Sequence, residues 1–442
     1  MTRQSFSVSE HIVNRITHAL ADAAYSQKTP LVVAYSGGVD SSVLLQAAVD
    51  YRDQFDCPIH AVHVHHGLSV NADHWAQHCE LQCRLNDITF HLHHVDVAKG
   101  ARQSLEAEAR KARYKELLQV CRSVNGVLLL GQHAQDQLET VLLQLKRGAG
   151  PQGLSGMGEA QLREGVLVVR PMLALEKQDI IQYAEDESLK WIEDESNTQN
   201  SFDRNFLRNE IIPQLMSRWP KLTKTVGRSA MLCAQQTELV NETALAHLDT
   251  VKHNDKRLNG ARLATLNVPW QSAVVRAWFT SHKVLVPSKA QLDEILAMLH
   301  AKPDATPEVL FNWGKVARFN GDLFWVEHAK HPVESEITLT ANEPCYLPWL
   351  QGIIRVEVSG KNDSGEIVLK TNQRGLKVKP SSSSVSKTLK DWFKVWRVPL
   401  WERSQVPVIY INGVPVGLIV DNACVYLTTC NSDIQITFSL DL

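Results

Sequence analysis

Seven residues, Ser36, Gly37, Gly38, Val39, Asp40, Ser41 and Ser42, stand where the apolar run LVVAYS gives way to the helical pattern SSVLLQAAVDYR. A helix N-terminus presents unpaired amides and the positive end of the macrodipole, and so attracts phosphate. Gly37 and Gly38 let the backbone approach an anion with no Cβ in the way, and the three serines add hydroxyl donors. Asp40 repels bare phosphate, so its sensible role is to hold a Mg²⁺ that also touches a pyrophosphate. The loop lacks the lysine of GxxxxGK[ST]. It therefore suits release of intact pyrophosphate, which means AMP transfer from ATP. Ser36 to Ser42 are expected to bind ATP, with Asp40 both catalytic and the metal ligand.

A second set of chemistry-bearing residues lies in GQHAQDQLET, residues 131 to 140. Asp136 and Glu139 are three apart in a helical stretch, so their carboxylates share one face and can hold an ammonium group. His133, Asp136 and Glu139 are all candidates to accept a proton from an amine nucleophile, and the sequence does not rank them. Arg113, in KARY, is the expected cation for charge developing at an α-phosphate; Arg110 lies three residues earlier on the same face. The plainer reading of both arginines is a solvated helix face with partners such as Glu106. His60, His63, His65 and His66 invite a metal, but strand-end histidines are more often structural. The eight cysteines form no CxxC pair, and Cys79 and Cys83 sit four apart on one helix face; free thiols in a reducing compartment are expected.

The elements that must carry these groups follow from pattern. Strand runs LVVAYS, HAVHVHHG, FHLHHVDV, GVLLLGQH and VLVVRPML alternate with helical stretches at 71–85, 105–123, 135–145 and 176–187. This is the signature of βαβ units and a parallel sheet covered on both faces. Past Asn205 the alternation stops: helices are expected at 206–215, 226–247 and across 260–300, then two or three short strands. From about Glu334 short strands dominate, with one helix near Val385 to Val395. The chain of 442 residues exceeds one core, so three domains are expected: 1–215 α/β, 216–332 mainly helical and 333–442 β-rich. GAGPQGLSGMGE, residues 148–159, is expected to be mobile.

No run approaches the length of a membrane span and the N-terminus lacks the apolar core of a signal peptide, so a cytoplasmic protein with no membrane partner is expected. Net charge is −2, so any nucleic-acid binding must come from local patches. One patch runs from Arg204 to Arg228. A second, 370–403, interleaves basic residues with Trp392, Phe393, Trp396 and Trp401. Lys387, Lys390 and Lys394 are expected to form a helical stripe that, with Arg397, binds RNA phosphates, while the aromatics pack the small domain.

The loop SGGVDSS resembles that of the PP-loop ATP pyrophosphatase superfamily, whose members adenylate their substrates. HVHHGLS (63–69), EAEARKARYKEL (106–117), the segment 131–157, WIEDESNTQNSFDRNFLRNEIIPQL (191–215) and LKDWFKVWRVPLWERSQVPVIYING resemble the three-domain tRNA(Ile)-lysidine synthase family. That resemblance implies a tRNA(Ile) with a CAU anticodon and free L-lysine as partners. ATP would adenylate O2 of cytidine 34, and the ε-amine of lysine would then attack C2 and expel AMP, so that the tRNA reads AUA. It further implies that Asp136, Glu139 and Arg204 bind lysine, with Arg208 as second candidate for the arginine, and that the two later domains bind tRNA. The sequence departs from the family pattern GHHxDDQxET at Gln132 and Gln135, which puts a carboxylate role at 135 in doubt. A 2-thiolating PP-loop protein would need paired cysteines; a tRNA-binding protein that has lost catalysis is the other rival. Oligomeric state is open, a homodimer included.

Overall fold

The computed structural model describes residues 7–65, 67, 71–95, 105–193, 202–302, 305–328, 332–359, 365–430 and 432–440. Two compact units divide the chain, Met1–Val240 and Asn241–Leu442.

The first unit is built on one sheet. Its strands are β1 (Leu31–Ala34), β2 (Ile59–His65), β3 (Thr89–His94), β4 (Val127–Leu129), β5 (Ala160–Arg163) and β6 (Val166–Val169), in the order β3-β2-β1-β4-β6-β5. All neighbours are parallel except β5 and β6. The parallel sheet is as expected; the antiparallel edge strand β5 is an addition. Its sequence AQLR is polar and short, and pattern alone does not separate such an edge from a loop. The central strands β1, β4 and β6 are almost wholly buried and therefore continuously apolar.

Helices α1 (Val8–Asp22), α2 (Val39–Phe55) and α3 (Ala72–Leu85) add to one core, which gathers Ile12, Ile16, Leu44, Ala48, Tyr51, Cys79 and Cys83. Helix α4 (Leu105–Ser123) packs Tyr114, Leu117, Leu118 and Cys121 into a separate core with Val32, Val62, Leu128 and Val168. Val32 and Val33 alternate between the two cores, as neighbouring strand residues must. The chain leaves β1 toward β2 on one side and returns to β4 on the other. The crevice at the carboxyl ends of β1 and β4 is thus the topological switch point, where open α/β sheets place ligands.

Helices α5 (Ala134–Lys146), α6 (Pro151–Leu154), α7 (Lys177–Asp186), α8 (Asp203–Phe206), a π-helical turn (Leu207–Ile211), α9 (Ile212–Arg218) and α10 (Leu222–Val251) complete this part; the division between the units falls inside α10. Within the glycine-rich segment 148–159, Met157 is held by Gln137, which donates to its carbonyl (3.1 Å) and accepts from its amide (2.8 Å).

In the second unit, β7 (Lys252–Asn254), β8 (Arg257–Leu258), β9 (Glu308–Phe311), β10 (Gly314–Phe319) and β11 (Asp322–Glu327) form an antiparallel sheet in the order β7-β8-β11-β10-β9. Helices α11 (Gly260–Thr265), α12 (Val268–Ser281) and α13 (Lys289–Met298) supply Val274, Trp278, Phe279 and Ile295 to its core, where Trp278 and Phe279 pack edge-on against Trp325. Then come β12 (Glu336–Leu339), β13 (Pro344–Leu347), β14 (Gly352–Val358), β15 (Ile367–Lys370), β16 (Lys377–Val378), β17 (Lys387–Thr388), α14 (Leu389–Val395), β18 (Val408–Ile411), β19 (Val414–Val420), β20 (Ala423–Tyr426) and β21 (Ile434–Leu440). They make three antiparallel sheets, β12-β15-β18-β19-β20, β13-β14-β21 and β16-β17.

One expectation needs correction. Lys387 is not on the helix with Lys390 and Lys394; it lies on β17, where it pairs with Val378. The next residue, Thr388, is extended, and its hydroxyl accepts from the Asp391 amide, so the helix can begin only at Leu389.

Candidate active site

β1 ends at Ala34 and α2 starts at Val39, so Ser36, Gly37 and Gly38 form the turn between them. Gly37 has φ +88°, and a Cβ there would stand 2.7 Å from Ile192 Cδ1 and 2.9 Å from Cys79 Sγ, so only glycine fits. The Ser41 hydroxyl folds back into the loop, accepting from the Gly37 amide (3.1 Å) and donating to the Gly38 carbonyl (2.9 Å). Ser36 Oγ lies 3.1 Å from it. The helical ladder begins with the Ser42 amide donating to Gly38 O (3.0 Å). The amides of Val39, Asp40 and Ser41 therefore belong to the first, unladdered turn that draws an anion. Ser42 is buried behind the loop.

Asp40 Oδ1 accepts from Lys177 Nζ at 2.6 Å. His133 Nε2 stands 3.7 Å from the same oxygen and 3.4 Å from Asp136 Oδ2. The end of β4 makes this meeting possible: a Cβ on Gly131 would come within 3.2 Å of the Asp40 carbonyl. His133 is buried and caps α5. Its Nδ1 accepts from the Gln135 amide (3.3 Å), and Asp136 Oδ2 accepts from its backbone amide (3.0 Å). A neutral ring with Nδ1 as acceptor carries its proton on Nε2, the nitrogen that faces both aspartates. One carboxylate beside a phosphate loop is a donor set that fits Mg²⁺, which takes one or two protein carboxylates and completes its shell with phosphate and water.

Asp136 and Glu139 do share a face of α5, and one guanidinium bridges them. Arg208 Nε donates to Glu139 Oε1 (2.7 Å), and its Nη2 donates to Asp136 Oδ1 (2.8 Å) and Glu139 Oε2 (2.9 Å). Arg208 is carried on the π-helical turn Leu207–Ile211; such turns recur at functional sites. Glu139 is 0% exposed. Burial pushes its carboxyl above the ordinary value, and the Arg208 hydrogen bonds pull the other way without cancelling it. For Arg208 burial works downward, and the carboxylates more than reverse it, so the guanidinium is held charged. Arg204 donates to Thr140 Oγ1 (3.1 Å), and its Nε lies 3.4 Å from Glu139 Oε2. Both arginines of the segment thus reach this corner, and Arg208 makes the fuller contact.

Arg113 is half-buried on α4. Gln132 accepts from the buried Arg170 Nε (2.5 Å), which gives this departure from the family pattern a place in the packing. Gln135 contributes its backbone amide to the His133 cap. His63 is buried, with Nδ1 3.0 Å from the Tyr35 carbonyl and Cys79 Sγ 3.5 Å away; burial lowers its pKa. His60 Nδ1 lies 3.1 Å from His91 Nε2. His66 lies outside the described residues, and among those described no group of three or more His, Cys, Asp or Glu is arranged to hold a metal. In the second unit Lys387, Lys390, Lys394 and Arg397 are exposed, while Trp392 and Phe393 are buried beneath them. Lys387 Nζ stands 5.3 Å over the Trp392 ring, and Trp392 stacks on Trp396. No helix among the described residues is long and apolar enough to cross a membrane.

Sequence reasoning missed Lys177. One signal existed: it occupies the first position of α7, where the helix dipole disfavours a cation, so a lysine there needs another reason.

Three family profiles match the chain: a PP-loop domain over residues 8–215, a TilS substrate binding domain over 258–324 and a TilS substrate C-terminal domain over 367–423. A tRNA(Ile)-lysidine synthase of Vibrio parahaemolyticus serotype O3:K6 is 37% identical over 411 residues, covering 90% of this chain and 93% of the relative. Its counterpart in Shewanella woodyi is 38% identical over 439 residues, covering 93% and 92%. Among solved structures, the U34-tRNA thiolase NcsA from Methanococcus maripaludis with its [4Fe-4S] cluster aligns with a TM-score of 0.43 and 16% identity, covering 50% of this chain and 77% of that one. The profiles in order along the chain, together with relatives matched over about nine-tenths of both chains, establish that this chain is an enzyme belonging to the tRNA(Ile)-lysidine synthase family, with an ATP-binding PP-loop domain.

Proposed function

We propose that the chain ligates free L-lysine to C2 of cytidine 34 in the CAU anticodon of tRNA(Ile) through an adenylated intermediate. The observation that carries this is the convergence at one switch point of the phosphate loop, the Asp40–Lys177 pair, His133 and the Asp136–Glu139 carboxylates.

The first step forms a bond between cytidine O2 and the α-phosphorus of ATP and breaks the bond to pyrophosphate. The unladdered amides of Val39, Asp40 and Ser41 and the Ser36 hydroxyl bind the departing pyrophosphate, in the turn that Gly37 and Gly38 allow and that the buried Ser42 backs. Mg²⁺ held by Asp40 would neutralise charge on the same phosphates. Lys177 and Arg113 add fixed positive charge, worth most where water is excluded. His133 faces the site with Nε2–H and so donates, which leaves proton acceptance to a carboxylate.

In the second step the ε-amine of lysine attacks C2, and AMP leaves with the electron pair of the C2–O bond. A free lysine ammonium has pKa about 10.4, so about one molecule in 2,500 is unprotonated at pH 7. Of the two carboxylates, Glu139 is wholly enclosed by Arg208, so Asp136 takes the proton. Arg204 holds the lysine carboxylate, and Glu139, enclosed by Arg208, acts through that arginine to keep Asp136 in place. The product base pairs with A, so decoding moves from AUG to AUA.

Residues 1–215 serve as the ATP-binding domain, and 216–332 and 333–442 as tRNA-binding domains. Lys387, Lys390, Lys394 and Arg397 contact RNA phosphates in the cytoplasm. Incubation with ATP, Mg²⁺, radiolabelled lysine and tRNA(Ile) bearing CAU tests the whole reading. ATP- and tRNA-dependent label on the RNA supports it. ATP cleaved to AMP and pyrophosphate without label would sink lysine as the nucleophile, and tRNA bound without cleavage would sink catalysis.

A further inference from the structure

Tyr114, buried on α4, is surrounded by three arginines from three elements. Arg163, on the edge strand β5, places its Cζ 4.0 Å from the ring centroid. Arg110, one turn earlier on α4, places its Cζ at 5.2 Å and donates from Nη2 to the Tyr114 hydroxyl at 3.4 Å. Arg170, just past β6, is 3% exposed and is fixed by Nε to Gln132 Oε1 (2.5 Å) and Nη1 to the Gly158 carbonyl (2.8 Å).

Arg208 and Arg257 bring their own anions, Asp136 and Glu139 for the first and Asp322 at 2.7 Å for the second, and the buried Arg318 stands alone and donates to two carbonyls. Among the described residues no carboxylate pairs with Arg110, Arg163 or Arg170, the side chain of Glu106 lying outside them, and the charged groups acting on Arg170 are Tyr114, Arg110 and Arg163. Burial alone would push the Tyr114 phenol up; Arg110, Arg170 and Arg163 reverse that and hold it below its ordinary value. Three guanidiniums gathered without a counter-charge are repulsive unless an anion joins them. Planar forks around one point match a phosphate.

We propose that Arg110, Arg163 and Arg170, gathered around Tyr114, form a binding site for a single RNA phosphate next to the reacting nucleotide. This rests on the reading above that the chain binds tRNA. Two observations favour an RNA phosphate over those of ATP. The nucleotide loop opens α2, which packs in one core of the sheet, whereas Tyr114 lies in the separate core of α4. Arg163 also sits on the outermost strand, beside the exposed Leu162, where a polynucleotide can pass. Gln132 links the two places: it holds Arg170 and directly precedes His133, so a phosphate bound here registers the strand against the chemistry.

The test is binding of an anticodon stem–loop and of whole tRNA(Ile) to the full chain, titrated across salt without ATP or lysine. Arg110→Ala with Arg163→Ala is expected to weaken binding about tenfold at about 0.1 M salt and to flatten the slope of log K against log salt by about 0.7 per lost contact. Arg163→Lys alone, which keeps the charge and loses the fork, is expected to keep the wild-type salt slope and part of the affinity that Arg163→Ala loses. In a methylphosphonate scan of the stem–loop, one neutral linkage is expected to weaken wild type but not the double variant. RNA affinity and slope equal to wild type would overturn the proposal. So would a raised KM for ATP with RNA binding intact, which would assign the cluster to ATP phosphates. A lowered melting temperature with no more affinity in Arg163→Lys than in Arg163→Ala would mark the arginines as packing alone. Because the readout is RNA binding, a chain that passes this test yet makes no lysidine would sink the proposed reaction and leave the phosphate site standing.

Discussion

Glu139, in the first unit, is wholly buried and its charge is met by Arg208, whereas Lys387, Lys390, Lys394 and Arg397, in the second, stand exposed over buried Trp392 and Phe393. Taking a charge out of water is costly unless it is paired and hydrogen-bonded, and breaking such a pair typically costs about 3–5 kcal/mol. A site that must fix one small cation and control one proton gains from that rigidity. A surface that meets a polyanion gains from the reverse: solvated charges on flexible stems, each adding a small, salt-dependent increment. The aromatic layer under the lysines gives them a fixed base without fixing the charges themselves. On this comparison, substitutions in the first region should act all-or-none and those in the second should act by degrees.

The largest effect is expected at Asp40. Asp40→Ala should lower kcat/KM for lysidine formation by about a thousandfold or more, with tRNA affinity by filter binding nearly unchanged. Wild-type turnover by this variant would remove Asp40 from the site and with it the comparison. Next comes Lys177→Met, which removes the cation 2.6 Å from Asp40 and should cost about ten- to a hundredfold in kcat/KM for ATP. A change confined to melting temperature would reduce Lys177 to a structural partner.

Lys387→Glu with Lys390→Glu should raise the KM for tRNA by about five- to tenfold and leave those for ATP and lysine alone. Since Lys387 sits on β17 and Lys390 on α14, the two need not contact neighbouring phosphates, and single variants should divide the effect between them. Unchanged tRNA kinetics would show a merely solvated face.

The smallest effect is on pH. Burial holds the Glu139 carboxyl above its ordinary value of 4.5. On the proposed reading the ionised form is needed to hold Arg208 and, through it, Asp136, so the KM for lysine should rise severalfold as pH falls, with a midpoint above that value. Stability runs the other way. Between the unfolded and the raised folded pKa the folded chain binds more protons, so its stability is greatest below the unfolded value and declines as pH rises through the folded one. A lysine KM whose acid limb is the same in Glu139→Gln as in wild type would assign the titration to another group.

Much of this site was legible in the letters. A seven-residue loop between an apolar strand and a helix has few physical uses, and the turn it forms needs glycine at Gly37, where φ is +88° and a Cβ would crowd Ile192 and Cys79. The i, i+3 spacing placed Asp136 and Glu139 on one face, and Arg208 now bridges them. The aromatics of 392–393 went inside and the neighbouring lysines outside, as hydropathy requires. Local patterns such as these are set by nearest neighbours and by the period of the backbone, which a sequence carries in full.

Contacts between residues far apart in the chain are another matter. Lys177 meets Asp40 across 137 positions, Arg208 meets Asp136 across 72, and Arg170 meets Gln132 across 38. No periodicity encodes such pairs; they exist because β1, β4 and β6 lie side by side and bring their loops to one edge. The start of α14 at Leu389 was likewise settled by the Thr388 cap rather than by the lysine spacing. What the sequence by itself determined was which groups this protein has for chemistry and the local element that carries each. Only the tertiary structure decided which of them meet, because a parallel sheet joins strands distant in the chain and the partner of a buried charge is chosen by that packing.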